Sequence, residues 1–222
     1  MSTQEIWTKV DDYVAVLAPE DEHLVAARRR SSDAGMPDIA VSAPQGALLH
    51  TLAALLGARR ILEIGTLGGY STLWLARALP EDGALMTLEI SPEHASVART
   101  SLDAAGVGDR VEIVVGDART SLEALLAAGV EPFDLVFIDA DKQSLALYTD
   151  LSMRLGRPGT AIVLDNVVRD GAVAVPDHPD DRVRGVQEAL AAAAADPRLQ
   201  GTVIQTVGGK GYDGFALLRV VG

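Results

Sequence analysis

The segment Phe133 to Lys142, FDLVFIDADK, runs from an apolar stretch into Asp139, Asp141 and Lys142, three charges within four residues. A buried strand needs a polar exit, and a single Asp or Gly would provide it. A second apolar run, TAIVL, also ends in polar oxygen donors, Asp165 and Asn166. Two carboxylates and an amide are a hard donor set that suits Mg2+, with Mn2+ or Ca2+ as alternatives. Mg2+ keeps several waters and takes few protein ligands, which leaves coordination positions for a substrate. A cation there lowers the pKa of a bound hydroxyl, and Lys142 stands close enough in sequence to act as general base. Zinc is disfavoured, because the chain has no Cys and none of its 4 His has a partner at zinc-like spacing. Taken singly, an Asp or an Asp-Asn pair is a turn former and a Lys is a solvated amine. The chemical reading rests on their coincidence.

A second cluster surrounds LEIGTLGGYS, Leu62 to Ser71, a Gly-rich turn between an apolar run and a helical one. Gly65, Gly68 and Gly69 allow backbone to approach a ligand where a Cβ would clash. The spacing departs from G-x-G-x-x-G, since Leu67 holds the second glycine position, which argues against close pyrophosphate contact and hence against NAD. Glu89, ending the next apolar run, stands where an acid accepts ribose hydroxyls. Glu63, just before the turn, places negative charge where a dinucleotide would bring phosphates. A nucleoside without phosphates fits better, and S-adenosylmethionine offers a ribose, an ammonium and a sulfonium to this acidic rim. Charges also balance there: two Asp offset a divalent cation, and methyl transfer from a sulfonium to an ionised hydroxyl neutralises donor and acceptor together.

These residues need a scaffold that brings strand ends together. From Arg59 onward the pattern alternates: RRILEIG, ALMTLEI, RVEIVVGD, FDLVFID and TAIVLDN read as strands, with helical runs between them. The strand runs are apolar without strict alternation, as in a parallel sheet covered by helices on both faces. This predicts a doubly wound α/β sheet, with ligands beyond the carboxyl ends of its strands. Glu63, Glu89, Asp117, Asp139 and Asp165 then form an acidic rim. GTVIQTV and FALLRVV, with Asp213-Gly214 between them, read as an antiparallel ending. The first residues read as two helices, the second opening at Pro19 to Glu22 and stopping near Gly35, and Ser42 with Gln45 carries capping-box spacing ahead of a third. The expectation is one domain over 1–222, with residues 1–40 as a helical N-terminal extension.

Composition narrows the partners. Hydrophobic residues make up 48% of the 222, enough for a substantial core. With 31 acidic and 19 basic side chains, the net charge of −12 disfavours nucleic acid. Arg28, Arg29 and Arg30 form the one dense basic run, read here as a solvated helix face. No apolar run reaches the roughly 20 residues of a membrane span. The start of the chain lacks the pattern of a secretory signal, and together with the absence of Cys this suits a cytoplasmic enzyme.

The segments VSAPQGALL, ILEIGTLGGYSTLWLA, TLEI, VVGDA, FDLVFIDADK and IVLDNVV, in this order, resemble the cation-dependent, S-adenosylmethionine-dependent O-methyltransferases, the group of the caffeoyl-CoA and catechol enzymes. The resemblance covers the chain from about Gly35 onward and implies a seven-stranded, Rossmann-like methyltransferase sheet, mostly parallel with an antiparallel C-terminal strand, usually in a homodimer. It places Val41, Glu63, Gly65, Thr66 and Ser71 along the methionine end of the cofactor. Glu89 falls at the ribose, and Asp117 and Ala118 at the adenine. Asp139, Asp165 and Asn166 match metal ligands, with Asp139 also bordering cofactor and acceptor; Lys142 matches the general base, and Asp141 lies near the cofactor. The implied reaction moves a methyl group to one hydroxyl of a vicinal dihydroxyaromatic acceptor. A CoA thioester such as caffeoyl-CoA, a non-catalytic nucleotide-binding module and a NAD-dependent dehydrogenase are the alternatives. Three positions depart from the family pattern: Gln45 replaces an acid, the loop after Asn166 is individual, and GGKGYDGF is longer than usual, so that Lys210 and Tyr212 belong either to the acceptor pocket or to an exposed hairpin.

Overall fold

Side-chain caps start most of the helices where the sequence offers them. Asp21 accepts from the backbone amides of His23 and Leu24 to open α2 (Glu22–Asp33), which follows α1 (Thr3–Val14). Ser42 accepts from Gln45 N to open α3 (Ala43–Leu55), and Ser91 accepts from His94 N to open α5 (Pro92–Ala104). Each bond satisfies an amide that the first helical turn leaves unpaired. The computed structural model describes every residue from Met1 to Gly222. Its remaining elements are β1 (Arg60–Ile64), α4 (Tyr70–Ala78), β2 (Ala84–Glu89), β3 (Val111–Val115), α6 (Ala118–Ala128), β4 (Leu135–Ile138), α7 (Leu145–Arg154), β5 (Ala161–Asp165), α8 (Asp181–Ala195), β6 (Leu199–Gly208) and β7 (Gly211–Val220).

The seven strands form one sheet in the order β3-β2-β1-β4-β5-β7-β6. The pairs β1/β2, β2/β3 and β4/β5 are parallel, while β7 runs antiparallel to both β5 and β6. This is the expected doubly wound α/β arrangement. The contacts divide into two compact units, Lys9–Ala118 and Met1–Thr8 with Arg119–Gly222. In the first, Ile61, Leu62, Ile64, Leu73, Leu75 and Leu88 form the apolar interior. In the second, Phe133, Phe137, Ile138, Ile162, Leu164 and Val186 do so. Each such side chain contributes about 1.5–3 kcal/mol on burial. All four residues of β4 and all five of β5 are buried, which explains why their sequences do not alternate.

One sequence expectation is corrected. Asp213 and Gly214 do not form the C-terminal turn; they lie inside β7, opposite Thr206 and Gln205. The turn is Gly209-Lys210, closed by the Gly208–Gly211 pair. The positive φ of this hairpin, 101°, falls at Gly211 just after the turn, and the loop lengthens both strands beyond the apolar runs that announced them.

Candidate active site

In the unit Lys9–Ala118, a candidate cluster is built at the tips of β1 and β2. Gly65 and Gly69 take φ of 99° and 83°, and Gly69 caps α4 in the left-handed conformation. Leu67, where a glycine was missing from the dinucleotide pattern, also turns left-handed, with φ of 48°. That costs a non-glycine residue about 1–2 kcal/mol. Glu89 offsets it: Oε2 accepts from Leu67 N at 2.8 Å and Thr66 N at 3.2 Å, while Oε1 accepts from Ser91 N at 3.0 Å. The acid at the end of β2 therefore fixes the Gly-rich turn of β1 as well as standing at the rim.

Glu63, one of the strand-end acids, is closed off from solvent. It is fully buried, and its carboxylate accepts from Ser71 Oγ at 2.7 Å, Thr72 Oγ1 at 2.5 Å and Thr87 Oγ1 at 2.7 Å. The parallel register that sets Glu63 opposite Thr87 makes this possible. Burying a carboxylate is costly unless hydrogen bonds replace its water, and three hydroxyls do so here. Glu63 thus ties the turn to the first residues of α4, with Ser71 directly bonded to it.

The Arg28–Arg30 run is not simply a solvated face. Arg28 is half-buried, donates to Glu20 Oε1 at 2.9 Å and to the carbonyl of Val41 at 3.1 Å, and lies 3.9 Å from the centre of the Tyr70 ring. Tyr70 donates to the same Glu20 oxygen at 2.7 Å. Burial pushes the Tyr70 phenol up in pKa. For Arg28, burial opposes the charge, but Tyr70 and Glu20 outweigh it and raise its pKa. Helical geometry separates successive side chains by about 100°, so neighbours in the run have different fates, and Arg29 stays exposed beside Asp33. Val41, itself buried, is held from its carbonyl by this network. Asp117 is exposed and Ala118 half-buried at the start of α6.

In the unit that holds Arg119–Gly222, a second candidate cluster occupies the ends of β4 and β5. Ile138 pairs with Leu164 at the end of the β4/β5 register, and Asp139 and Asp165 are the next residues along the two chains. Asp165 is 3% exposed, and its Oδ1 accepts from Asn166 N at 2.8 Å. Lys142 is buried, and its Nζ donates to Asp139 Oδ1 at 3.2 Å. Asp141 instead caps the short turn Lys142–Ser144, accepting from Ser144 N at 3.1 Å and from Tyr148 Oη at 2.8 Å. No group of three or more His, Cys, Asp or Glu comes together in the chain, so the candidate metal set is the mixed one of two carboxylates and an amide. Its oxygen-only chemistry fits a hard divalent cation and not zinc.

Several contributors were not apparent in the sequence. In α8, a Cβ on Gly185 would stand 2.1 Å from the carbonyl oxygen of Lys142, so only glycine allows this helix to back the Lys142 turn. Asp213 Oδ1 accepts from three backbone amides, two of them in the loop after Asn166. Neither residue carries a local signal, since its role exists only through a distant segment. Lys210 is exposed at the hairpin turn, and Tyr212 donates to Gln205 across the hairpin, which is the hairpin reading of that segment.

A family model described as O-methyltransferase matches residues 15–220. The chain is 46% identical to a catechol O-methyltransferase of Niastella koreensis, covering 97% of this chain and 98% of the relative. It is 50% identical to a catechol O-methyltransferase of Mycobacterium tuberculosis, covering 93% and 92%. Among solved structures, the O-methyltransferase TomG of Streptomyces achromogenes, involved in tomaymycin synthesis and determined in complex with SAM, superposes with a TM-score of 0.97 at 50% identity over 100% of both chains. With a sheet of the same topology class, an ordered Gly-rich turn and matches that span nearly its whole length, the chain belongs to the O-methyltransferase family.

Proposed function

We propose that this enzyme transfers a methyl group from S-adenosylmethionine to one hydroxyl of a small vicinal dihydroxyaromatic acceptor, with a divalent cation, Mg2+ by choice of donors, at Asp139, Asp165 and Asn166. The observation that carries the proposal is the buried Lys142 amine 3.2 Å from Asp139 Oδ1, at the tip of the strand paired with the one that ends in Asp165. A cation bound by these oxygens lowers the pKa of a coordinated hydroxyl. Lys142, as the neutral amine, would accept the phenolic proton, and its hydrogen bond to Asp139 Oδ1 holds the nitrogen in place. As the methyl carbon leaves sulfur, the new bond forms to the phenolate oxygen, and S-adenosylhomocysteine departs neutral at sulfur. Glu89 accepts from the ribose hydroxyls, while Gly65, Thr66 and the Val41 backbone line the methionine portion. Ser71 supports its carboxylate, Glu63 underlies its amino group through the turn it anchors, and Asp117, Ala118 and Asp141 complete the cofactor contacts.

The names of the relatives support the catechol class, and the complex of TomG with SAM supports the donor. A CoA thioester has less support, because Arg28, in the one dense basic run, is engaged by Glu20 and Tyr70. No helix is long and apolar enough to cross a membrane, and we place the enzyme in the cytoplasm on its lack of Cys. We also propose a homodimer, since α1 buries none of its residues and β6 leaves Val203, Ile204 and Val207 exposed.

The test is a methylation screen over catechols and caffeoyl-CoA with and without chelator, alongside Asp165→Ala. Chelation and Asp165→Ala are each expected to lower turnover at least about 100-fold, while S-adenosylhomocysteine affinity stays within about threefold. Full activity of Asp165→Ala in chelator would refute the metal assignment.

A further inference from the structure

Beyond Asp165 the chain leaves β5 but not the company of β7. Phe215 is the last register partner, opposite Asp165. Val167 N then donates to the carbonyl of Gly214 at 3.0 Å, and Asp170 N to the carbonyl of Tyr212 at 3.1 Å. Between them the ladder is continued by a side chain: Asp213 Oδ1 accepts from Val168 N at 3.0 Å and Arg169 N at 2.9 Å, and from Gly214 N at 2.9 Å. The bonded segment is conformationally demanding, with φ of 54° at Asn166, Arg169 and Asp170. Asn and Asp tolerate the left-handed region, but Arg169 is disfavoured there and persists only where its surroundings over-determine it. Gly214 belongs to the same device, since a Cβ there would lie 2.6 Å from Val168 Cγ2 and 2.4 Å from the carbonyl oxygen of Ile204.

We infer that Asp213 is a positioning residue for the metal ligands: its carboxylate holds the 167–169 backbone so that Asn166 keeps the left-handed conformation that orients its amide beside Asp165. The inference rests on the reading of Asp165 and Asn166 as ligands. Asp213 acts on them through hydrogen bonds from two backbone amides, and the three-residue reach from Asn166 to Arg169 is short enough for the clamp to fix the ligand's φ.

The test uses the full chain and Mn2+ alone, with binding read by electron paramagnetic resonance for the wild type, Asp213→Ala and Asp213→Asn. Asp213→Ala is expected to weaken Mn2+ binding about 10–100-fold, the range seen when a partner behind a metal ligand is removed. Asn keeps one oxygen acceptor, so Asp213→Asn should recover to within about threefold of wild type. S-adenosylhomocysteine affinity should stay within about twofold in both variants, and amide exchange at Val168 and Arg169 should quicken in Asp213→Ala. Unchanged Mn2+ affinity in Asp213→Ala, or a matching loss of S-adenosylhomocysteine affinity, would overturn the inference. Amides that stay protected in Asp213→Ala would overturn the clamp whatever the metal result. A wild type that fails to bind Mn2+ while those amides do deprotect would instead remove the metal reading, and the inference with it.

Discussion

Lys142 is long and flexible, yet its amine is buried against one oxygen of Asp139. Ordering such a side chain costs about 1.5–2 kcal/mol of rotamer entropy, so a purely solvated role would not place it there. Two substitutions separate charge from proton transfer. Lys142→Met removes both, whereas Lys142→Arg keeps the cation but replaces the amine with a guanidinium that does not deprotonate. Both variants should lower kcat by about 10²–10⁴-fold, with Mn2+ and S-adenosylhomocysteine affinities near wild type for Arg. Wild-type kcat in Lys142→Arg, measured with saturating catechol, would show that Lys142 serves as a countercharge only. At the same scale, Glu63 shows that spacing does not give a side chain's contacts. An acid before a Gly-rich turn reads as a rim group, but the Thr87 register and the start of α4 surround it with three hydroxyls.

Among the elements, α8 has the least obvious part in the site. Its Ala-rich sequence announces a helix but not which neighbour it meets. Gly185 decides that, because its missing Cβ admits the Lys142 carbonyl and the Gln143 Cα, the latter 2.9 Å from where a Cβ would stand. In a helix interior, Ala would by propensity gain about 1 kcal/mol over Gly. Here the clash reverses the sign, and overpacking of this kind costs about 1–3 kcal/mol. Gly185→Ala should therefore lower Tm and reduce kcat together, through displacement of the Lys142 turn, with S-adenosylhomocysteine affinity little changed. Calorimetry paired with steady-state rates checks this, and a raised Tm with intact kcat would show that α8 does not press on that turn. The Gly-rich turn of β1 depends in the same way on another element, since Glu89 of β2 holds its amides. That dependence lets Leu67 stand where a dinucleotide fingerprint demands glycine.

At the scale of the molecule, the distribution of exposed apolar side chains asks for a partner. Tyr13 and Leu17 are 83% and 86% exposed, and β6 presents Val203, Ile204 and Val207 on an edge strand of ten residues. A long uncovered edge is an association hazard unless something covers it, and a second copy of the chain is the proposed cover. Sedimentation should return twice the 23.3 kDa chain mass, and Ile204→Lys should shift it toward monomer. A wild-type monomer at micromolar concentration would refute the dimer. The net charge of −12 adds self-repulsion, so association should strengthen as salt screens it.

What the sequence determined by itself was the kind and order of elements and the chemistry of the donors. Apolar runs of strand length separated by helical periods can form little besides a covered parallel sheet, and oxygen side chains at strand ends are hard ligands wherever they point. The cap at Ser42 was legible too, because it bonds to an amide three positions away. The structure decided everything that joins distant segments. That Asp139 and Asp165 each follow a paired residue at the ends of β4 and β5 comes from the strand register. The inward turn of Glu63 comes from packing against α4 and β2, and Asp213 reaches the Asn166 loop across 45 positions of sequence. The hairpin turn was misplaced because Asp-Gly is a turn signal only when its carboxylate is not taken up elsewhere. Local chemistry is written in neighbouring residues, whereas contacts that must overcome loop-closure entropy are selected by the folded whole.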